Sequence, residues 1–596
     1  MTKVVVLRDR REPRDLSRKI CFSRFDAPGH SIFNRRKIAL RTFDLSRSQC
    51  VESIRKLMRL TDDCITGAPP MNRRMKTKKL KKMLGLAALS LTMLFPQAAQ
   101  LAAQDQPKDA KPAEAKPTEQ APPKEESSAT DHTIRLGGQA INYKATASTT
   151  LLKDDKGEPT GSIFSIAYTR ADSKDMSQRP LAFVYNGGPG SSSVWLHMGA
   201  FGPRRIVTAE AAPTPPPPYK IADNSGCLLD KADLVFIDPV GTGFSRAVGK
   251  GQNKDFWGVD QDVHSLAQFI TTYVARNNRW NSPKFLIGES YGTFRSIALG
   301  NYLQTHDSMY INGIVLISSV LDAGTLSFSA GNNMTYIFYV PSYAATAWVH
   351  NVLNPRPDDL NAFLTEARQF ASTEYAAALM KGSHLSDAER SDIAKKLARF
   401  TGLSEDYIVK ADLRVTLGQF RAELQRSRGL TIGRYDSRFT GPTYDRLAEN
   451  AESDPSYTAV AGGFAAAINS YLREELKFST EKTYNILNFE IGGNWDWKHA
   501  GDGGGFPGAP NVEPDLIQAL ISNPHLQVQV ENGFYDMATP FFATEFTMDR
   551  LLLPGDLRQN IHLDYYNAGH MMYLHEEDHD KLSSNVRSFI DSVAKR

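Results

Sequence analysis

From residue 160 onward the chain alternates between two rhythms of hydrophobic spacing. Short runs rich in β-branched and aromatic residues, at Ile163 to Thr169, Leu181 to Tyr185, Leu234 to Ile237, Phe285 to Ile287 and Ile314 to Ile317, predict strands. Helical spacing fills the gaps near Asp260 to Arg276 and again after Ser290. Strands alternating with helices predict a mostly parallel sheet with helices on both faces. After Ser318 helical stretches take over, among them Asp358 to Lys381 and a capping-box start at Ser386 with Glu389. Strand character returns at Leu526 to Val530, an apolar and aromatic run follows at Ile561 to Tyr566, and a final amphipathic segment begins at Asp580. The expected organisation is an α/β domain built from residues 132–320 and 501–596, interrupted by a helical cap insertion over 321–500.

The N-terminal part has a different character. Arg73, Arg74, Lys76, Lys78, Lys79, Lys81 and Lys82 precede an apolar run from Met83 to Phe95, and small residues end at Ala102 and Ala103. That order reads as a secretory signal peptide over 71–103, with an apolar run too short to span a bilayer comfortably. No stable membrane anchor is expected, since no Cys follows the run to accept a lipid. Translation is expected to start at Met71 or Met75, which makes residues 1–70 an upstream leader absent from the mature protein. Residues 104–131 are Pro, Lys, Glu and Ala without apolar periodicity and read as a disordered linker. The protein is therefore expected outside the cytoplasm, periplasmic or extracellular.

Removing the leader changes the charge. Of 70 Lys/Arg and 66 Asp/Glu, residues 1–103 hold 23 and 8, leaving 47 basic against 58 acidic in the body. An acidic body argues against a nucleic-acid partner, because phosphate binding needs a positive field. Cys21, Cys50 and Cys64 fall in the leader, so Cys227 stands alone in the exported part and cannot form an internal disulfide.

The sharpest chemical signal is Gly288-Glu289-Ser290-Tyr291-Gly292, placed after an apolar strand and before a helical run. The glycines allow a turn tight enough to present the Ser290 hydroxyl at the strand's C-terminal end, the nucleophile arrangement of an α/β-hydrolase fold. A serine hydroxyl needs a base, and in this fold the partners follow in the order Ser, Asp, His. Asp536 and His570 satisfy that order, each just past a predicted strand; His562, His575 and His579 compete with His570. An acyl-transfer site also needs donors for a developing oxyanion. The turn Asn186-Gly187-Gly188-Pro189-Gly190-Ser191-Ser192-Ser193 can bring a backbone amide close; it lacks the Lys and the spacing of a phosphate loop.

Taken with Asp238-Pro239-Val240-Gly241-Thr242-Gly243-Phe244-Ser245, the Asn532 to Asp536 segment and Ala568-Gly569-His570-Met571, these motifs resemble the serine carboxypeptidases of the peptidase S10 group, in family order. The resemblance implies a triad of Ser290, Asp536 and His570, an oxyanion hole from the Gly188 and Tyr291 amides, and Asn186 with Glu289 holding the C-terminal carboxylate of a peptide substrate. It implies no metal and no cofactor, and an acidic optimum. One departure concerns specificity: a family glutamate that completes the carboxylate network falls at Ala200. Rival readings are an aminopeptidase or esterase of the same fold, or a silent binding protein on the scaffold. Asn186, where proline-releasing aminopeptidases carry His, and Glu289 favour the carboxypeptidase. Asn494-Trp495-Asp496-Trp497 could line the specificity pockets, with a place in the hydrophobic core as the expected role of its tryptophans.

Overall fold

In a computed structural model of the chain, the described residues are 122–500 and 509–595. The leader, the signal-peptide segment and most of the linker lie outside them. The main sheet contains β1 (Ser127–Leu136), β2 (Gln139–Lys153), β3 (Pro159–Arg170), β4 (Leu181–Tyr185), β5 (Asp233–Asp238), β6 (Lys284–Glu289), β7 (Gly313–Ile317), β8 (Gln527–Gly533) and β9 (Ile561–Tyr566). Their spatial order is β1-β2-β3-β5-β4-β6-β7-β8-β9, with the two-residue strand Arg246–Ala247 also paired to β3. From β5 to β9 every pairing is parallel; β1, β2 and β3 join antiparallel at one side.

The central strands are short and wholly buried, as strands covered on both faces must be. Side chains alternate within them. Leu181, Phe183 and Tyr185 enter one core with α1 (Val259–Arg276), α2 (Tyr291–Thr305) and α3 (Glu513–Ser522), while Ala182 and Val184 enter the other, with α4 (Glu576–Ala594). A third cluster belongs to the insertion and contains Phe363, Leu397, Phe400 and Phe420. The capping box at Ser386 forms as expected, with the Ser386 hydroxyl accepting from the Glu389 amide.

Two expectations need correction. The linker ends earlier than residue 131, because Ser127 to Asp131 already pair with Lys144 to Ser148 in the β1–β2 hairpin. Their polar composition suits this place: β1 alternates exposed and partly buried positions over its first half. The hairpin turns at Gly137 and Gly138, whose φ values of 54° and 82° fall where glycine alone is unstrained. The insertion, in turn, is not purely helical. It includes the strand pair Leu430–Ile432 and Thr440–Pro442, and its final stretch returns to the sheet body through bridges at Leu487, Asn485 and Asp496.

Candidate active site

The chemically marked residues converge at the C-terminal ends of parallel strands, where open α/β sheets place their sites. Ser290 follows β6 and caps α2, with φ 61° and ψ −131°, a backbone state costly for any residue with a side chain. The strain is held by neighbours: the Ser290 amide donates to the Ile317 carbonyl of β7 at 3.0 Å, and a β-carbon at Gly288 would collide with the Gly292 carbonyl. Ser290 is half-buried and lines a cavity of about 160 Å³ together with His570, Glu289, Asn186, Gly188 and Tyr291.

His570 and Asp536 lie on the loops after β9 and β8. The imidazole Nδ1 stands 2.7 Å from Asp536 Oδ2, and both side chains are almost wholly buried. Asp536 Oδ1 accepts from the Ala538 and Thr539 amides at 2.7 and 3.0 Å, and the Thr539 hydroxyl stands 2.7 Å from Oδ2. The carboxylate is thus fixed and oriented toward the ring. Burial pushes the His570 pKa down, but the Asp536 charge and hydrogen bond, aided by Glu289, leave it above the ordinary value. The competing histidines are otherwise engaged: His575 faces Asp578 at 2.8 Å, His579 Nε2 stands 3.1 Å from the Ala200 carbonyl, and His562 is exposed.

The loop Asn186 to Ser193 is pressed against the start of α2. A β-carbon at Gly187 would run into the amide nitrogens of Tyr291 and Gly292. Two buried clamps hold the loop in place. Arg295 of α2, paired with Asp262 at 2.6 Å, donates to the Asn186 carbonyl at 2.6 Å; Asp238 Oδ1 accepts from the Ser193 amide and hydroxyl, both at 2.8 Å. The Asp238 to Ser245 motif therefore braces the loop from behind and does not line the cavity. Burial pushes the Asp238 carboxyl up to about 6.

Glu289 is buried at 3% exposure, yet both oxygens have donors: Asn186 Nδ2 donates to Oε1 at 2.8 Å and the Tyr573 hydroxyl to Oε2 at 2.8 Å. Burial pushes its pKa up to about 7, against the lowering effect of His570 and these two donors. At neutral pH the group is divided between a carboxylate and an acid able to donate its own proton. Ala200 is buried in the helical turn Leu196–Phe201 and takes no part in the cavity wall. Tyr573 was not foreseen, and neither were Thr539 or the cap residues Arg434 and Tyr435. Tyr435 packs its ring 5.2 Å from the His570 ring and accepts the His570 amide on its carbonyl at 2.6 Å. Trp497 corrects the expectation of a core role, being 41% exposed and part of the cavity wall, whereas Trp495 is buried.

Cys227 is fully buried, and burial pushes its thiol up to about 12, which makes it inert as a nucleophile. Among the described residues no group of His, Cys, Asp and Glu could hold a metal, and no helix is long and apolar enough to cross a membrane.

Comparison with known proteins places these features in a family context. Residues 160–369 match the family model described as serine carboxypeptidase, a span that holds Asn186, Gly188, Glu289, Ser290 and Tyr291 and stops short of Asp536 and His570. Over 191 residues the chain is 34% identical to the pheromone-processing carboxypeptidase KEX1 of Saccharomyces cerevisiae, which covers 30% of this chain and 25% of that one. Over 198 residues it is 29% identical to serine carboxypeptidase-like 33 of Arabidopsis thaliana, covering 31% and 38% respectively. The chain thus spans well under half the length of these curated relatives. A crystal structure of a prohormone-processing carboxypeptidase from Saccharomyces cerevisiae aligns with a TM-score of 0.48 and 18% identity, over 76% of this chain and 91% of that one.

Proposed function

We propose that this chain, which resembles the serine carboxypeptidases along its motifs and matches their family model over residues 160–369, removes residues from the C-termini of peptides. The observation that carries the reading is a buried, donor-held Glu289 carboxyl in the same cavity as Ser290 and the Asp536-paired His570.

In this reading Ser290 Oγ attacks the carbonyl of the last peptide bond while His570 Nε2 takes the hydroxyl proton. Asp536, fixed at Nδ1, stabilises the imidazolium so formed. The Gly188 and Tyr291 amides receive the oxyanion; the crowding of Gly187 against the Tyr291 amide supports their approach. His570 then protonates the leaving amino acid, and water, deprotonated by the same imidazole, hydrolyses the acyl-Ser290 ester. Asn186 and the protonated form of Glu289 take the substrate's terminal carboxylate, one proton being shared between two carboxyl groups.

The working form therefore needs His570 neutral and Glu289 protonated. Glu289 helps hold His570 above its usual value and His570 acts to lower Glu289, so the two titrations are coupled and belong to the pair as a whole. Free-acid peptides should have their optimum on the acid side of the optimum for C-terminally amidated ones, which do not use the shared proton. We also place the mature enzyme outside the cytoplasm, a reading supported by the basic, apolar and small-residue order over 71–103 and testable by N-terminal analysis of fractionated cells.

The test is kcat/KM between about pH 4 and 8 for matched free-acid and amidated peptides. Faster turnover of the free acid at low pH is expected, and Glu289→Gln, a donor at every pH, should shift the free-acid KM profile toward neutral pH. Equal profiles for the two substrates would remove the carboxylate-recognition reading and leave an endopeptidase or esterase.

A further inference from the structure

Besides Glu289 and His570, one side chain of fixed charge among the described residues lines the cavity, Arg434, and it comes from the insertion. Arg434 lies in the segment Gly433 to Arg438, which is strung between the two loops that carry Asp536 and His570. Its carbonyl accepts the Met537 amide at 3.1 Å, the next carbonyl accepts the His570 amide at 2.6 Å, and the Ser437 amide donates to the Tyr535 carbonyl at 3.0 Å. The Arg434 amide itself donates to Asp454 Oδ1 at 3.0 Å. The backbone beneath this side chain is thus held to the same loops as the triad candidates.

The neighbouring arginines of the insertion are satisfied. Arg438 is paired with Asp436 at 2.6 Å and with Glu210 at 2.7 Å; Arg421 donates to the Ile432 and Ser453 carbonyls at 2.8 and 2.7 Å. Arg434 differs. Among the described residues no hydrogen bond or ion pair reaches its guanidinium, which lies 5.3 Å from the centroid of the Tyr435 ring. The rest of the wall is mainly apolar, including Trp195, Phe294, Leu326, Leu487 and Trp497. Asp454 and Asp536 lie near enough to favour the Arg434 charge, but neither is hydrogen-bonded to the guanidinium, so its donors stay open to a bound carboxylate, which its planar fork matches in two-point geometry. Glu289 does not engage them, since both its oxygens are taken by Asn186 and Tyr573.

We infer that Arg434 is a specificity-determining residue that pairs with an acidic side chain of the substrate next to the scissile bond, so that the enzyme favours peptides ending in an acidic residue or carrying one at the penultimate position. The inference rests on the proposed carboxypeptidase reading. It adds a second carboxylate to the one that Asn186 and Glu289 handle.

The experiment uses the full chain and four N-acylated dipeptide free acids, with Glu or Gln at the penultimate position before Phe, and Glu or Gln at the terminal position after Phe. The wild-type protein should prefer Glu to Gln at one of the two positions by about ten- to a hundredfold in kcat/KM, the range of one charged hydrogen-bonded contact; which pair shows it assigns the subsite. Arg434→Gln should bring that ratio close to one, Arg434→Lys should keep part of it, and Arg434→Glu should turn the preference toward a Lys-bearing peptide. Labelling of Ser290 by a fluorophosphonate, with an unchanged melting temperature, certifies that each variant is folded. A wild type that cleaves all four peptides without preferring Glu overturns the inference and leaves the carboxypeptidase reading standing. So does an Arg434→Gln variant that slows Glu and Gln peptides equally, which would assign Arg434 to the terminal carboxylate or to structure. A labelled wild type that cleaves none of the four takes down both.

Discussion

Replacing Tyr573 by Phe removes one hydroxyl and leaves the ring that packs against Gly199 in place. The lost group donates to Glu289 Oε2 at 2.8 Å. A hydrogen bond to a charged acceptor contributes about 1.5–3 kcal/mol and one to a neutral acceptor about 1 kcal/mol. The carboxylate therefore loses about 0.5–2 kcal/mol more than the acid does. At about 1.4 kcal/mol per pKa unit, Glu289 moves up by about one unit, from its present value of about 7. The sign is fixed by the direction of the bond: a donor favours the charged form, so its removal favours the proton. If protonated Glu289 binds the terminal carboxylate, the alkaline limb of kcat/KM for free-acid peptides should shift upward by about one pH unit. The profile for amidated peptides should stay where it is. Stopped assays at matched ionic strength across pH 5–9, with the two substrate types run side by side, give the measurement. A limb that stays in place or moves down in a folded variant would refute the hydrogen-bond assignment, and identical shifts for both substrates would move the effect to His570.

Other perturbations test other parts of the construction. Ser290→Ala should abolish fluorophosphonate labelling and hydrolysis without lowering the melting temperature, and residual labelling would place the nucleophile elsewhere. Glu531 is fully buried, with Tyr566 donating to one oxygen and the other oxygen unpartnered, and burial pushes its pKa up to about 8. Because that value lies above the unfolded one, the folded chain keeps a proton the unfolded chain releases, so stability falls as pH rises from about 4.5 to about 8. Glu531→Gln should flatten the drop in melting temperature over that window, and a drop equal to wild type would contradict the assignment. Cys227 should resist thiol reagents in the native protein and react only on unfolding, with labelling monitored by mass. Reducing agent should leave the melting temperature unchanged.

The sequence was informative where the determinants are local. The run Leu181 to Tyr185 is a strand with the predicted bounds, since five consecutive buried apolar residues satisfy both faces of a parallel sheet at once. The Ser290 elbow was legible in part for the same reason: a β-carbon on Gly288 would meet Gly292 and Ser296, close by in sequence, whereas the crowding at Gly292 comes from the distant Tyr185 and Asn186. Asp536 and His570 could be chosen because each follows an apolar run directly. Tyr573 was not legible although it stands three residues from His570, because its partner Glu289 lies 284 positions away and a tyrosine has no characteristic spacing toward a carboxylate. Arg434 is hidden by composition, one arginine among several in the insertion, and only the tertiary structure separates it from Arg438 by showing which of them is hydrogen-bonded to a carboxylate. The first half of β1 reads as linker because an edge hairpin with its outer side in water needs little apolar content; the Gly137-Gly138 pair is the signal in the sequence that marks the hairpin.

The long interval between Ser290 and Asp536 also imposes an order in time. During synthesis from the N-terminus the elbow's strand, its helix and the loop from Asn186 are available once about half the chain exists, before Asp536 and His570 have been made. Strands β8 and β9 can add to the sheet edge only after the entire insertion has been made, and Ser318 waits for the His570 carbonyl that its hydroxyl meets at 2.7 Å. If Ser290 is the nucleophile, the growing polypeptide carries it without its proposed base through nearly half of its production. On the proposed triad, a nascent or prematurely terminated chain lacks the base for Ser290 until the last few dozen residues are made.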